Sequence, residues 1–287
     1  MTLSRHSCAT IFDMKEWKAK TVFHSYLDEI LETCNGIFLA KEARAALYAH
    51  LNRETLRHDG AAEKMINSAL GAVSKIQDGH VVRSLFMSAH AGFEQYLRSL
   101  FESAALSISN AKLNKSKLNS QGMNRAVVLD GLRGWQINLA GDAFSRYFEP
   151  LAHLTVDYSQ VAHAIVKCGD ATEPFYLDGN VFGFRVGNID QSTINKLFSR
   201  FGCTLLWDGL AANLMVQKIL DKTTKVETEK EIGRVMADAL KIRNRIAHTQ
   251  GEFGMGKEEL IKQVKFLQYV SEFLFDALSA HVTKLLA

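Results

Sequence analysis

The sequence lacks several features that mark common protein classes. Only two of its 287 residues are proline, Pro150 and Pro174, so long helices can run without interruption. No apolar run reaches the length of a membrane span, and residues 1–6 lack the apolar stretch of a signal peptide. We therefore expect a soluble, cytoplasmic protein that does not bind membranes.

Cysteine is also scarce, which argues against metal-binding and disulfide frameworks. No C-x-x-C or H-E-x-x-H spacing occurs, so a zinc site is not expected. We predict reduced thiols, no metal and no cofactor. The four cysteines are Cys8, Cys34, Cys168 and Cys203.

The net charge is small as well. A formal charge of +3 is too low to identify a nucleic-acid-binding protein, so any basic surface must be local. Hydrophobic residues make up 47% of the chain and charged residues 23%, which is typical of a folded globular protein. The sequence is long enough for one large domain or two small ones.

Apolar residues recur every three or four positions along most of the chain, and this pattern predicts an all-α protein. The strongest stripe lies between Val81 and Ser107, and another lies between Lys257 and Leu285. Near the N-terminus, Asn35-Gly36 predicts a break between two helices, Lys15–Cys34 and Phe38–Arg57.

One stretch departs from the helical pattern. Residues 175–186 contain β-forming side chains on both sides of Asp178-Gly179, which suggests a small β-hairpin insertion. After it, Asp190 is expected to cap a short helix that ends at Gly202, and a further helix is expected from Thr204 to Asp221.

A long amphipathic helix is predicted to carry the most informative residues of the chain. Thr228 and Glu231 have the spacing of a capping box, so we expect the helix to begin there and to end at Gly251. The segment from Lys241 to Thr249 occupies the last turns before that end.

Three polar side chains of this segment are predicted to share one side of the helix. At about 100° per residue, Arg243, Asn244, Ala247 and His248 fall within an arc of roughly 140°, while Ile246 points toward a core. A guanidinium can bind phosphate oxygens as a planar fork, and an imidazole can transfer protons near neutral pH. The spacing therefore favours a phosphate-handling site, although the same residues also occur on ordinary exposed helices.

The pattern R-N-x-x-x-H at residues 243–248 resembles the signature of the HEPN superfamily, many of whose members are metal-independent RNases. With Ile246 and Ala247 it reads R-N-x-I-A-H, as in the RiboL-PSP branch. The order of helices expected between Asn188 and Leu278 is also similar to that of such domains.

This resemblance implies a domain organisation. Residues 76–287 would form an HEPN-like helical bundle with an insertion at about 107–190. Residues 1–75 would form an additional N-terminal helical region, whose role the sequence does not indicate.

The resemblance also implies roles for individual residues. Arg243, Asn244 and His248 would be catalytic, and Glu94 would orient an arginine or histidine of a facing helix. The alternative for Glu94 is a surface ion pair with Arg98. Residues that would contact substrate are Lys241, Arg245 and Thr249.

The implied function is a metal-independent endoribonuclease that cleaves RNA through attack of the 2′-hydroxyl. It would act as a homodimer with a composite active site, as a bacterial toxin or anti-phage defence effector, and an antitoxin or other regulatory protein would be a further partner. Some HEPN toxins carry a modified tyrosine two residues after the histidine. Gln250 occupies that position, which argues against control by tyrosine adenylylation.

Two other hypotheses remain open at this point. The first is a non-catalytic HEPN module that binds RNA or a nucleotide, or that serves protein interaction, with the motif binding phosphate. The second is a purely structural helical protein in which Arg243 and His248 make internal hydrogen bonds.

Overall fold

The computed structural model describes residues 9–53, 60–111, 123–145, 158–169, 176–183, 186–248 and 255–287. Every regular element in these ranges is an α-helix, which confirms the predicted all-α class. The helices are α1 (Ala9–Arg53), α2 (Gly60–Lys75), α3 (Asp78–Asn110), α4 (Met123–Ser145), α5 (Tyr158–Gly169), α6 (Gly179–Gly183), α7 (Gln191–Ser199), α8 (Trp207–Ala211), α9 (Leu214–Ile219), α10 (Lys225–His248) and α11 (Lys257–Leu286).

The chain separates into two compact units, and helices α1, α3, α10 and α11 contribute residues to both. Unit 1 comprises Met1–Phe23, Phe93–Leu240 and Tyr269–Ala287. Unit 2 comprises His24–Gly92 and Lys241–Gln268, and it therefore contains residues 243–248. The domain boundary expected near residue 75 stays a prediction.

The core of unit 2 is built from apolar stripes on three helices. These stripes repeat at helical spacing, so each helix turns one continuous apolar face inward. Burial of such side chains contributes about 1.5–3 kcal/mol each relative to exposure. The buried residues include Leu27, Ile30 and Cys34 of α1, Val82, Phe86 and Ala89 of α3, and Leu260, Val264 and Leu267 of α11.

Unit 1 contains a cluster of buried phenylalanines. The ring centroid of Phe101 lies 5.3 Å from that of Phe198 and 5.6 Å from that of Phe201. The ring of Phe182 lies 5.1 Å from that of Phe201. Because these residues come from α3, α6, α7 and the turn after α7, the cluster joins distant parts of the sequence.

The predicted break at Asn35-Gly36 is wrong, since α1 is one helix of 45 residues. An Asn-Gly pair favours a turn locally, but one glycine inside a helix costs only about 1 kcal/mol. The buried residues Leu27, Ile30 and Cys34 anchor the preceding turns and offset that cost. The helix therefore continues through Gly36.

The suggested β-hairpin at residues 175–186 is also wrong, because Gly179–Gly183 forms a helical turn. Before it, the Leu177 N–H donates to Ser109 Oγ at 2.6 Å, and the Asp178 N–H donates to Gln136 Oε1 at 2.7 Å. Side chains of α3 and α4 thus satisfy backbone groups that a second strand would otherwise bind.

The helix that carries residues 243–248 begins earlier than predicted. Thr224, not Thr228, precedes the first turn, and its Oγ1 accepts a hydrogen bond from the Glu227 N–H at 3.3 Å. Thr228 is buried inside the helix and donates to the Thr224 carbonyl at 2.7 Å. The sequence contains the T-x-x-E spacing twice, four residues apart, and the first copy forms the cap.

Asp190 caps α7 as predicted, but α7 ends at Ser199, before the end expected at Gly202, and the helix expected at 204–221 is interrupted. Asp190 Oδ1 accepts from the Thr193 N–H at 2.7 Å, and Gly202 has the left-handed φ of 69° that ends the segment. The Asn213 side chain accepts from the Met215 and Val216 N–H groups, so it caps a separate helix, α9.

The close approach of Gly179 to α3 gives a stability prediction. A Cβ atom at Gly179 would lie 2.9 Å from the Glu102 carbonyl oxygen, which is backbone and cannot rotate away. We expect Gly179→Ala to lower the free energy of unfolding by about 1–3 kcal/mol, measured by urea titration. The matched control is Gly36→Ala in α1, where nothing lies within 4 Å and a gain of about 0.5–1 kcal/mol is expected. Equal effects of the two substitutions would contradict this account.

Candidate functional site

The last two turns of α10 present polar side chains on an exposed flank. Asn244, Ala247 and His248 are exposed, and Arg243 is half-buried. Ile246 is also half-buried. Asn244 and His248 are four residues apart on one helix, so they lie about one turn from each other on nearly the same line. The arrangement places a guanidinium, an amide and an imidazole along one side of a single rigid element.

Residues upstream of this flank belong to unit 1. Ile232, Met236 and Ala239 are buried at helical spacing and anchor the preceding turns of α10. On the exposed side, Arg234 pairs with Glu231 and Asp238.

The charge of α10 changes along its length. Residues 225–240 contain both acidic and basic side chains, whereas residues 241–248 contain no carboxylate. The basic residues Lys241, Arg243 and Arg245 lie in this last part, and Lys241 and Arg245 are exposed. This is the local concentration of positive charge that the overall balance of +3 does not reveal.

His90 of α3 is a further polar residue near Arg243, and the sequence analysis did not assign it to the site. Burial, and then the positive charge of Arg243, lowers the pKa of His90 from the usual 6.5 to about 4. The imidazole is therefore neutral at physiological pH. The signal in the sequence was weak, because a single histidine amid apolar residues is usually part of the core.

Two neighbours hold the ring of His90. Its centroid lies 4.4 Å from the centroid of the Phe86 ring, one turn earlier on α3. Its Nε2 atom lies 3.5 Å from Nε2 of Gln263 on α11. Helices α3 and α11 thus meet at His90, whose pKa also responds to the charge of Arg243 on α10.

Glu94 lies one turn after His90 on α3 and is half-buried. The guanidinium of Arg98, the ion-pair partner considered for it, donates to the Val186 carbonyl at 3.0 and 3.3 Å. The orienting role of Glu94 stays a prediction, as do the roles of the residues of α10. Thr249 and the helix end expected at Gly251 lie outside the described residues.

No group of three or more His, Cys, Asp or Glu side chains that could hold a metal ion occurs in the described part of the chain.

None of the helices in the described ranges is both long and apolar enough to cross a lipid bilayer.

The chain matches a known protein family. Residues 52–280 match the family described as RiboL-PSP-HEPN. No curated protein and no solved structure matches the chain. The matched range includes α2 to α10 and most of α11, and so it includes both His90 and residues 243–248.

Proposed function

The chain belongs to the RiboL-PSP-HEPN family, and from this premise we propose that it is a metal-independent endoribonuclease. Family membership suggests an RNA-related function. The observation that supports cleavage is the flank of α10, where His248 and Asn244 are exposed beside a half-buried Arg243. These side chains can transfer a proton and bind a phosphate, which are the tasks that cleavage of a ribose–phosphate link involves.

RNA supplies its own nucleophile, the 2′-hydroxyl, so a protein can promote cleavage by moving protons and stabilising charge. In the proposed mechanism the 2′-oxygen attacks the adjacent phosphorus and forms a crowded phosphorane. The bond from phosphorus to the 5′-oxygen then breaks. The products are a 2′,3′-cyclic phosphate and a 5′-hydroxyl, and no other reactant is consumed.

Each residue of the flank has a proposed role in this reaction. His248 transfers a proton, because an imidazole can both accept and donate near neutral pH. Arg243 binds the phosphate and offsets the negative charge that builds in the transition state. Asn244 fixes the imidazole or binds a phosphate oxygen. Lys241, Arg245 and Thr249 contact neighbouring phosphates.

We propose that the active unit is a homodimer. Proton removal from the 2′-oxygen and proton delivery to the 5′-oxygen are easier with two groups, and each chain supplies one exposed histidine in this flank. An isologous interface would bring each Arg243–His248 flank against its own copy, so that one cleft would contain both.

In the cell, we propose the role of a bacterial toxin or anti-phage defence effector that degrades RNA, under the control of an antitoxin or another regulatory protein. This role rests on family analogy. Such an effector would act by degrading RNA under stress.

The chemistry of the products tests the proposal. We expect the full-length protein to cut single-stranded RNA in EDTA and to leave 2′,3′-cyclic phosphate and 5′-hydroxyl ends, identified by mass spectrometry. An oligonucleotide of the same sequence with 2′-O-methyl groups should remain intact, because its nucleophile is blocked. Ends of another type, cutting of the blocked oligonucleotide, or activity only after addition of a divalent cation would contradict the proposal.

A further inference from the structure

Trp135 of α4 is an exposed aromatic side chain with a cation against its ring. It is 37% exposed, whereas Trp207, another tryptophan of unit 1, is buried. The guanidinium carbon of Arg200 lies 5.4 Å from the centroid of the Trp135 ring. Arg200 is the residue directly after α7. A flat apolar ring and a permanent positive charge therefore lie side by side at the surface of unit 1.

The packing of the turn after α7 against α4 holds this pair together. Phe201, which follows Arg200, is buried against the ring of Phe101. Gly202 comes next, and a Cβ atom there would lie 3.1 Å from the Val128 side chain of α4. Val128 precedes Trp135 by about two turns. Residues 200–202 thus lie along α4, and the buried residue between them fixes Arg200 beside the indole.

The charge of the segments around the indole is of one sign. Residues 131–141 of α4 and residues 191–206, which include α7, contain no Asp or Glu. Lys196 is exposed and lies one turn before Arg200. The charged residues of the two segments are Arg133, Lys196 and Arg200, and the acids that border the α4 segment are Asp130 and Asp142. The surface beside Trp135 therefore favours a negatively charged ligand.

The helix surface next to Trp135 is open to a planar ligand. Gly131 lies one turn before Trp135, and Gly134 directly precedes it. In the part of the chain that the structure describes, a Cβ atom at either glycine would meet nothing within 4 Å apart from its chain neighbours and the helix backbone. No side chain at these two positions obstructs a base that approaches the indole from this side.

An exposed aromatic ring with cations around it is the combination that binds single-stranded nucleic acid. Every nucleobase has a π-face that can stack on an aromatic side chain, and the cations bind the phosphates of the backbone. A protein partner would also cover the indole. The absence of carboxylates from both segments favours a polyanion over a protein surface of mixed charge.

We propose that Trp135, Arg200 and Lys196 form a binding site for single-stranded RNA in unit 1, in which an unpaired base stacks on the indole and the two cations bind adjacent phosphates. This inference rests on the proposed nuclease function for the choice of RNA as the ligand. Trp135 lies within the insertion expected at about 107–190, so the proposal gives that insertion a role in substrate binding.

The first experiment measures binding and needs no cleavage. A short fluorescent 2′-O-methyl oligonucleotide, whose nucleophile is blocked, is titrated with full-length protein and followed by fluorescence anisotropy. We expect Trp135→Ala to raise Kd by about 5- to 100-fold, because the stacking of one base is lost. Trp135→Phe keeps a ring and should raise Kd less. Val166→Ala changes an exposed apolar residue of α5 and should leave Kd unchanged.

The second experiment separates stacking from charge by means of an abasic oligonucleotide with the same backbone. Trp135→Ala should not change its Kd, because no base is present to stack. Arg200→Gln should weaken binding of both oligonucleotides, because a phosphate contact is lost. Arg234→Gln is the matched control, since this exposed arginine of α10 already pairs with Glu231 and Asp238, and it should change neither Kd.

Photocrosslinking locates the base in the wild type and so does not depend on a variant that folds. With 5-iodouridine in the oligonucleotide, we expect the crosslinked peptide, identified by mass spectrometry, to contain Trp135. Crosslinks to other residues only, or no binding of the oligonucleotide by the wild type, would overturn the proposal. So would an unchanged Kd for a Trp135→Ala protein that unfolds at the wild-type temperature, which is the result expected if a protein covers this surface.

The two proposals fail separately. If the wild type crosslinks through Trp135 but cuts no unmodified RNA, the nuclease function fails and the binding site stands. If the wild type cuts RNA while Trp135→Ala binds the oligonucleotide as the wild type does, the binding site fails and the nuclease function stands.

Discussion

Replacement of His248 by alanine should reduce the rate of RNA cleavage by about 10²- to 10⁴-fold, the usual contribution of a general acid or base. The side chain is exposed at the end of α10, so its removal leaves no cavity in the core. The loss should therefore appear in the rate constant of cleavage and not in the melting temperature. The measurement is a single-turnover cleavage assay in EDTA beside thermal unfolding of the same preparation.

Arg243→Ala should cause a loss of roughly 10²- to 10³-fold, because a donor that stabilises developing charge is removed. Arg243→Lys keeps the charge but not the planar fork, so its activity should lie between those of the wild type and Arg243→Ala. The matched controls are Arg234→Ala, an exposed arginine of the same helix, and His163→Ala, an exposed histidine of α5. Both control proteins should retain full activity.

The outcomes of this series separate the remaining hypotheses. Equal cleavage by wild type and His248→Ala would indicate a contaminating nuclease. Absence of cleavage by both, with RNA binding retained, would leave a non-catalytic RNA-binding module. Loss of folding in Arg243→Ala would support a structural role for that residue. In cells, induced expression of the wild type should slow growth, and expression of His248→Ala should be tolerated.

Excess inactive chain should suppress the wild-type chain more strongly than simple dilution does. If one cleft uses the flanks of two chains, only wild-type pairs are fully active. With a roughly ninefold excess of His248→Ala and random pairing, such pairs make up about 1% of dimers, whereas wild-type chains make up about 10% of the mixture. The expected activity per wild-type chain therefore falls by about tenfold.

The two proteins are co-expressed with different affinity tags, so that wild-type and mixed dimers can be separated and assayed. Co-expression with His163→Ala is the control, because that chain keeps its own flank intact and should suppress nothing. Activity proportional to the fraction of wild-type chain would show that each chain acts alone. If the fully active protein sediments as a monomer, that result would also show that each chain acts alone.

Several features of the fold followed from the sequence because they depend on short-range periodicity. The apolar stripe between Val81 and Ser107 predicted a helix with one buried face, and Phe86, Phe93 and Phe101 of that stripe are buried. The last helix, expected from Lys257 to Leu285, runs from Lys257 to Leu286. Spacing along α10 also predicted an exposed flank for Asn244 and His248. A helix has a fixed rotation per residue, so neighbours three or four apart determine these results.

Whether a single glycine ended a helix or formed a turn depended on the residues packed around it. Gly36 and Gly202 both stood where a helix end was expected, yet α1 continues through Gly36 and Gly202 adopts a φ of 69°. The pair Asp178-Gly179 satisfied the local rule for a hairpin. It forms no hairpin because Gln136 binds the backbone there and Gly179 packs against Glu102.

The sequence by itself determined the all-α class, the long amphipathic helices and the side of α10 on which Arg243, Asn244 and His248 stand. Only the tertiary structure decided that His90 lies near Arg243, with Gln263 against its ring. The physical reason is the sequence separation involved. Helix periodicity relates residues only a few positions apart. The contact between α3 and α11 at His90 depends on how their buried faces pack, and no local pattern encodes that.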